Sequence, residues 1–72
     1  MPTPRETIEQ SNFDDATKAL LLAVFDEVWA ESPHKTDMNG YRIAGGILDL
    51  AAAGQRCTGA IHRYAAYQAR AA

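Results

Sequence analysis

The sequence predicts an all-α fold, a small three-helix bundle or a helical hairpin plus a third helix, which we expect to dimerise. Three segments repeat apolar residues at helical spacing, and proline, glycine or capping residues separate these segments. No segment alternates polar and apolar residues as a half-buried strand would. The chain has 72 residues, enough for one small domain. A core of this size contributes little stability, so such domains often need a disulfide, a metal or a second subunit.

Residues 1–11 are predicted to form a flexible N-terminal arm, and residues 12–72 a single helical domain. The arm holds two prolines, several polar residues and one isolated isoleucine, Ile8. A segment of this composition buries too little apolar surface to offset the conformational entropy lost on ordering. The only regular structure that we expect there is a short helical turn near Glu6–Gln10.

The strongest helix pattern covers residues 14–31. Its central apolar residues fall at i, i+3, i+4 and i+7 and therefore share one helix face: Leu21, Val24, Phe25 and Val28. Leu22 and Trp29 lie beside this stripe and widen it. Asp14 is a good N-cap because its carboxylate can accept hydrogen bonds from the free amides of the first turn. Pro33 ends the helix because the residue before a proline disfavours helical backbone angles.

A second helix is predicted at about residues 38–53, and a third at about residues 59–70. Gly54 suits the left-handed position that ends a helix, and Thr58 can cap the third helix. The buried face of the second helix is marked by Ile43, Ile47, Leu50 and Ala51. A weaker stripe in the third helix consists of Ile61, Tyr64, Ala65 and Gln68.

Two consecutive glycines, Gly45 and Gly46, lie in the middle of the second helix. Together they cost about 2 kcal/mol of helix stability relative to two alanines. Either the helix bends there, or a neighbouring backbone or bulky ring needs the space. Trp29 or Phe25 of the first helix is the ring that we expect in this notch.

The apolar stripe of the first helix is wider than the weakly apolar third helix can cover, so we expect a homodimer centred on the first helix. The alternatives are a monomeric three-helix bundle and a complex with another protein. Residues 1–31 carry seven acidic and two basic residues, whereas residues 32–72 carry two acidic and five basic ones. Such a division of charge can steer association. The candidate interface residues, all of types enriched at interfaces or at the edge of the stripe, are Leu22, Trp29, Tyr41, Tyr64 and Tyr67.

The alternative function is that of a small DNA-binding regulator with a helix-turn-helix at about residues 43–70. The second helix, the Gly54 turn and the third helix have its proportions, although the glycine falls one place early. The net charge of −2 argues against a phosphate-binding surface, so we expect no nucleic-acid partner. Under this alternative the contacts would come from Arg56, His62, Arg63 and Arg70, with Tyr67 beside them.

No group of residues predicts chemistry. Cys57 and His62 do not have a tight zinc spacing, and a site would need two more ligands, which His34 and Asp37 could supply only if the connector folded back onto the third helix. Adjacent carboxylates on a helix diverge by about 100°, so the Asp26–Glu27 pair does not converge as an acid–base pair would. We therefore expect no metal, no cofactor and no enzymatic activity.

The compartment is predicted from the single cysteine, Cys57. A lone thiol fits a reducing cytoplasm better than an oxidising environment. The N-terminal segment has no apolar signal region, and no apolar run approaches the roughly 18 residues of a membrane span. The sequence therefore predicts a soluble cytoplasmic interaction or accessory protein that acts by helix-face docking and has no membrane partner.

Two stretches carry a resemblance. Residues 25–30 read Phe-Asp-Glu-x-Trp-Ala, and residues 42–56 read Arg-Ile-x-x-x-Ile-Leu-x-Leu-Ala-x-x-Gly-x-Arg. Over residues 13–65 the chain resembles short uncharacterised bacterial proteins that are all-helical. Where those proteins often open the third helix with Asp-Pro, this chain has Cys57-Thr58. The resemblance implies a compact helical domain of unknown function and supplies no catalytic residues.

Overall fold

The computed structural model describes residues 2–70, which contain four α-helices and no strand. The all-α class is confirmed, whereas the expected number of three helices is wrong. The helices are α1 (Pro4–Glu9), α2 (Asp15–Glu31), α3 (Asp37–Ala52) and α4 (Thr58–Arg70). The last three begin and end within one residue of the predicted bounds. Residues 1, 71 and 72, which the predicted arm and domain included, lie outside the described residues.

The predicted flexible arm is replaced by α1. Thr3 and Glu6 form a capping box, in which the Thr3 hydroxyl accepts from the Glu6 amide and the Glu6 carboxylate accepts from the Thr3 amide, each at 3.1 Å. Pro4 occupies the first turn, where its missing N–H costs nothing. Ile8 is fully buried, and α1 packs against both α2 and α3. Tertiary packing of one isoleucine therefore orders a segment whose composition favoured disorder.

The predicted stripe of α2 faces the core. Its four central apolar residues, Leu21, Val24, Phe25 and Val28, are all buried. Asp14 is the N-cap, and its carboxylate accepts from the Thr17 amide at 2.9 Å. Hydrogen bonds from the side chain and the backbone amide of Thr17 lower the pKa of Asp14 below its usual value. The cap and the stripe, both local signals, thus locate this helix.

The core lies where α2, α3 and α4 meet, with α1 closing one side. Its residues from the other helices are Ile8, Ile43, Ala44, Ile47, Ala51, Ile61, Ala65 and Ala69. α4 contributes one isoleucine and two alanines, which lets it lie close to its neighbours. α2 and α3 each contact the other three helices, whereas α1 and α4 do not contact each other.

The notch at the paired glycines is filled by a different ring from the one that the sequence predicted. A Cβ on Gly46 would lie 3.2 Å from Cγ of Gln68 and 3.3 Å from Cε2 of Tyr64, both on α4. Neither Trp29 nor Phe25 occupies this position. A Cβ on Gly45 would meet nothing within 4 Å. α3 is one continuous helix through both glycines.

Trp29 lies instead near the start of α3, at Gly40. A Cβ there would stand 3.3 Å from Cζ3 of Trp29 and only 2.7 Å from Cγ of Pro4. Gly40 is thus the residue that allows α1, α2 and α3 to meet.

In the turn between α3 and α4, Gly54 has the predicted left-handed conformation, whereas Thr58 is not the predicted cap. Gly54 is left-handed, with a φ of 95°. Its amide donates to the carbonyl of Ala51, and the Gln55 amide donates to that of Leu50, each at 3.0 Å. These two bonds form a Schellman motif. Thr58 is the first residue of α4 rather than its cap, because the Ile61 amide donates to the carbonyl of the preceding residue, Cys57.

Candidate docking surface

Two of the predicted interface residues, Leu22 and Trp29, are half-buried and pack against the core. The ring of Trp29 stacks on that of Phe25, with centroids 6.1 Å apart and planes inclined by 9°. Pro4 of α1 approaches the same place from the other side of Gly40. At Trp29, the edge of the α2 stripe that suggested a second copy therefore lies close to α1 of the same chain.

Tyr41, a third predicted interface residue, is also half-buried. Its hydroxyl donates a hydrogen bond to the carbonyl of Pro2. This hydrogen bond attaches the segment before α1 to α3, so Tyr41 makes a contact within the fold.

Tyr64 and Tyr67, the remaining two, are exposed on α4. Tyr64 is 38% exposed and lies against Gly46 of α3, and Tyr67, one helical turn later, is 69% exposed. Met38 at the start of α3, which the sequence reasoning did not include, is 65% exposed. Large apolar side chains are exposed in the described residues only at these three positions.

A row of side chains runs along the outer face of α3, next to Gly46, which Tyr64 contacts. Its members recur at i, i+4, i+7, i+11 and i+14 and so lie on one side of the helix, opposite Ile43 and Ile47. They are Met38, Arg42, Gly45, Asp49 and Ala52, which we call the outer α3 ridge. A guanidinium nitrogen of Arg42 lies 3.8 Å from the sulfur of Met38. The ridge together with Tyr64 and Tyr67 forms the candidate docking surface.

The helical period of the ridge could have been found from the sequence. Met38 and Gly45 lie one heptad apart, as do Arg42 and Asp49, and all four fall between the buried positions of α3. The predicted interface contains only aromatic residues and the edge of the core, and so leaves out the exposed methionine.

Arg56, one of the four predicted nucleic-acid contacts, is engaged within the fold. Its guanidinium donates to the carbonyl oxygens of Ala51 at 2.7 Å and of Gln55 at 2.9 Å. The same group lies 5.3 Å from the centre of the Phe13 ring. Arg56 therefore adds a side-chain donor to the Ala51 carbonyl, which also accepts from the Gly54 amide, and connects the end of α3 to the start of α2 through a cation–π contact.

His62 is engaged as well, with Nε2 at 2.6 Å from a carboxylate oxygen of Glu31 on α2. The other two candidates, Arg63 and Arg70, are exposed on α4, and no ion pair forms at either within residues 2–70. The connection between α3 and α4, residues 53–57, is also longer than the three to four residues typical of a helix-turn-helix.

Two depressions were considered as ligand sites. The first, between the C-terminal ends of α2 and α4, has a volume of about 60 Å³, and its lining includes Val28, Ser32 and His62. This volume is far below the several hundred Å³ of a typical metabolite pocket. The second, at the start of α3, is a wide open depression of about 310 Å³, lined by His34, Thr36, Met38, Asn39 and Arg42.

Asn39 is the one lining residue of this second depression that is buried. Its amide nitrogen donates to the Ser32 hydroxyl and to the His34 carbonyl, both at 2.7 Å, and thereby fixes the α2–α3 connection. Its side-chain oxygen has no hydrogen-bond partner among the described residues, but it is inaccessible from outside.

Residues 2–70 contain neither a cluster of metal ligands nor a helix suited to span a membrane. Within residues 2–70, no three His, Cys, Asp or Glu residues come close enough together to hold a metal ion. No helix in this part of the chain has the length and apolar character needed to cross a membrane. Comparison of the chain with models of protein families, with curated proteins and with solved structures finds no match.

Proposed function

We propose that this chain is a small cytoplasmic accessory protein that acts by helix-face docking through the candidate docking surface, without chemistry of its own. The observation that carries the proposal is the exposure of Met38, Tyr64 and Tyr67 beside the outer α3 ridge. Methionine and tyrosine are enriched in the buried parts of protein interfaces. A second copy of the chain is the partner that we expect first, and another protein is the alternative occupant.

The proposed surface differs from the one suggested by the sequence alone. The earlier hypothesis centred the interface on the α2 stripe, with Leu22 and Trp29 at its edge. Because Leu22 and Trp29 are half-buried against the core, the support for association comes from the outer side of α3 and α4. Tyr64 and Tyr67 remain in the proposed interface, whereas Tyr41 is engaged with Pro2.

The cytoplasmic assignment is supported by the exposure of the single thiol, Cys57. An exposed free thiol is compatible with a reducing compartment and is a liability in an oxidising one. The DNA-binding alternative receives no comparable support, because Arg56 and His62 are held by contacts within the fold and the chain is acidic overall.

Site-specific photocrosslinking in the native cell tests the proposal. A benzophenone amino acid at Tyr67 should give a covalent adduct on irradiation, because this side chain would lie in the interface. The matched control carries the same group at Ala23, which is exposed on α2 away from the surface. An adduct at position 67 but not at 23 supports docking, and its mass distinguishes a second copy from another protein. Equal labelling at both positions, or none at 67, contradicts the proposal.

A further inference from the structure

Gly45 has no explanation within the isolated chain. A glycine in the middle of a helix costs stability relative to alanine, and proteins retain one where a neighbour needs the space. At Gly46 this neighbour is present, since Tyr64 and Gln68 lie within 3.3 Å of a Cβ placed there. At Gly45, on the outer face, no atom lies within 4 Å of such a Cβ among the described residues, apart from the adjacent residues and the backbone of α3 itself. The space in front of Gly45 is open for a group from outside the chain.

The two charges of the outer α3 ridge lie at nearly equal sequence distances on either side of Gly45. Arg42 and Asp49 are seven positions apart on the outer α3 ridge, and the midpoint between them falls between Gly45 and Gly46. Met38 and Ala52 are fourteen positions apart, and their midpoint is Gly45. The two halves of the ridge are therefore complementary. The basic Arg42 of one half matches the acidic Asp49 of the other, and the long Met38 matches the small Ala52.

We infer that the occupant of the docking surface is a second copy of this chain, paired through antiparallel α3 helices that cross at Gly45. This inference rests on the proposed docking function and adds the partner and the register. A two-fold axis close to Gly45 brings Arg42 of each copy near Asp49 of the other, and Met38 near Ala52. The same residues thus serve both copies, as an isologous interface requires.

The charge pattern selects the antiparallel arrangement. A parallel pair in register would place Arg42 opposite Arg42 and Asp49 opposite Asp49, and such like-charge contacts oppose association. In the antiparallel pair both contacts join opposite charges. The absent side chain at Gly45 lets the two backbones approach at the crossing, where a larger residue would hold them apart.

The tyrosines of α4 complete the interface. The contact of Tyr64 with Gly46 places this ring immediately beside the crossing point, and Tyr67 follows one turn further along α4. The second α3 helix would therefore lie along the tyrosines of the first copy and cover apolar surface that water now reaches. Burial of this surface gives the affinity, and the Arg42–Asp49 pairs give the register.

Charge reversal measured by sedimentation equilibrium tests the pairing. The full chain should show about twice its mass of 7.8 kDa at micromolar concentration and dissociate on dilution. Arg42→Asp alone and Asp49→Arg alone each create two like-charge contacts per dimer and should weaken association by about tenfold or more. The double variant restores opposite charges and should recover most of the affinity, because the two sites are coupled.

Two further variants distinguish register from general effects. Glu27→Arg makes the same charge change as Asp49→Arg on the exposed face of α2 and should leave the dimer intact. Gly45→Leu should abolish the dimer and keep the helical circular dichroism of the monomer, since no atom of the chain opposes a side chain there.

The results separate the docking function from the self-pairing through antiparallel α3 helices. A wild-type chain that stays monomeric overturns the self-pairing, and the docking proposal then stands or fails with the Tyr67 adduct to another protein. A dimer that tolerates both single charge reversals and Gly45→Leu overturns the register. A dimer that only the double variant and Glu27→Arg retain confirms it.

Discussion

The inner and outer sides of α3 are packed in opposite ways. On the inner side, glycines sit where other helices press on the backbone: Pro4 and Trp29 at Gly40, and Tyr64 and Gln68 at Gly46. On the outer side, Gly45 faces open space between Arg42 and Asp49. The comparison separates glycines that folding requires from one that it does not, and it directs the search for a partner to the outer side.

The largest expected effects come from the inner side. We expect Phe25→Ala to lower the free energy of unfolding by about 3–5 kcal/mol and Ile8→Ala by about 2–5 kcal/mol, because each truncation leaves a cavity in packed core. Tyr67→Ala on the outer side should change monomer stability by about 0.5 kcal/mol or less. Urea denaturation at a concentration where the chain is monomeric measures all three.

Ile8 is the decisive variant of this set. If residues 4–9 behaved as the flexible arm that the composition favoured, Ile8→Ala would cost no more than Tyr67→Ala. A loss comparable to that of other buried isoleucines would instead place α1 within the cooperative fold.

The difference between the helices that were predicted and the one that was missed has a physical cause. α2, α3 and α4 were predictable because their apolar period and their caps, such as Asp14 and Gly54, are local signals. The Thr3–Glu6 capping box was visible too. This capping box stabilises α1 only if Ile8 can be buried, and the core that buries Ile8 is formed by helices distant in sequence.

Side-chain partners were less predictable than helix bounds for the same reason. The sequence indicated that a ring would fill the notch at the paired glycines, but which ring depends on the direction in which α3 and α4 pack. Trp29 packs against Gly40, and Tyr64 packs against Gly46. Of the predicted interface residues, Leu22 and Trp29 are half-buried at the edge of the core, and the exposed Met38 was not among those predicted.

The next effect in size compares two glycines of α3 directly. Gly40→Ala should destabilise the monomer by about 1–3 kcal/mol, because its Cβ would lie 2.7 Å from the rigid ring of Pro4. Gly45→Ala should stabilise the monomer by about 1 kcal/mol, since it gains helix propensity without a contact. Thermal melts at dilute, monomeric concentration should therefore shift in opposite directions. A shift in the same direction for both would remove the distinction between the inner and outer sides.

The smallest expected effect concerns Asp14, whose cap at the start of α2 lies on neither side of α3 and gives the scale of a purely local contribution. Hydrogen bonds from the Thr17 side chain and amide lower the pKa of Asp14 from 3.8. A carboxylate with a lowered folded-state pKa contributes stability that is present above the unfolded-state pKa. This stability is lost as the pH falls through the lower, folded-state value. Asp14→Asn keeps an oxygen that can accept from the Thr17 amide but does not titrate. At neutral pH the Asp14 carboxylate also interacts with the helix dipole, so the melting temperature of the wild type should be slightly above that of the Asn variant. This difference should vanish in strong acid. A difference that stays constant from neutral pH to strong acid would show that the charge of Asp14 contributes nothing to the start of α2.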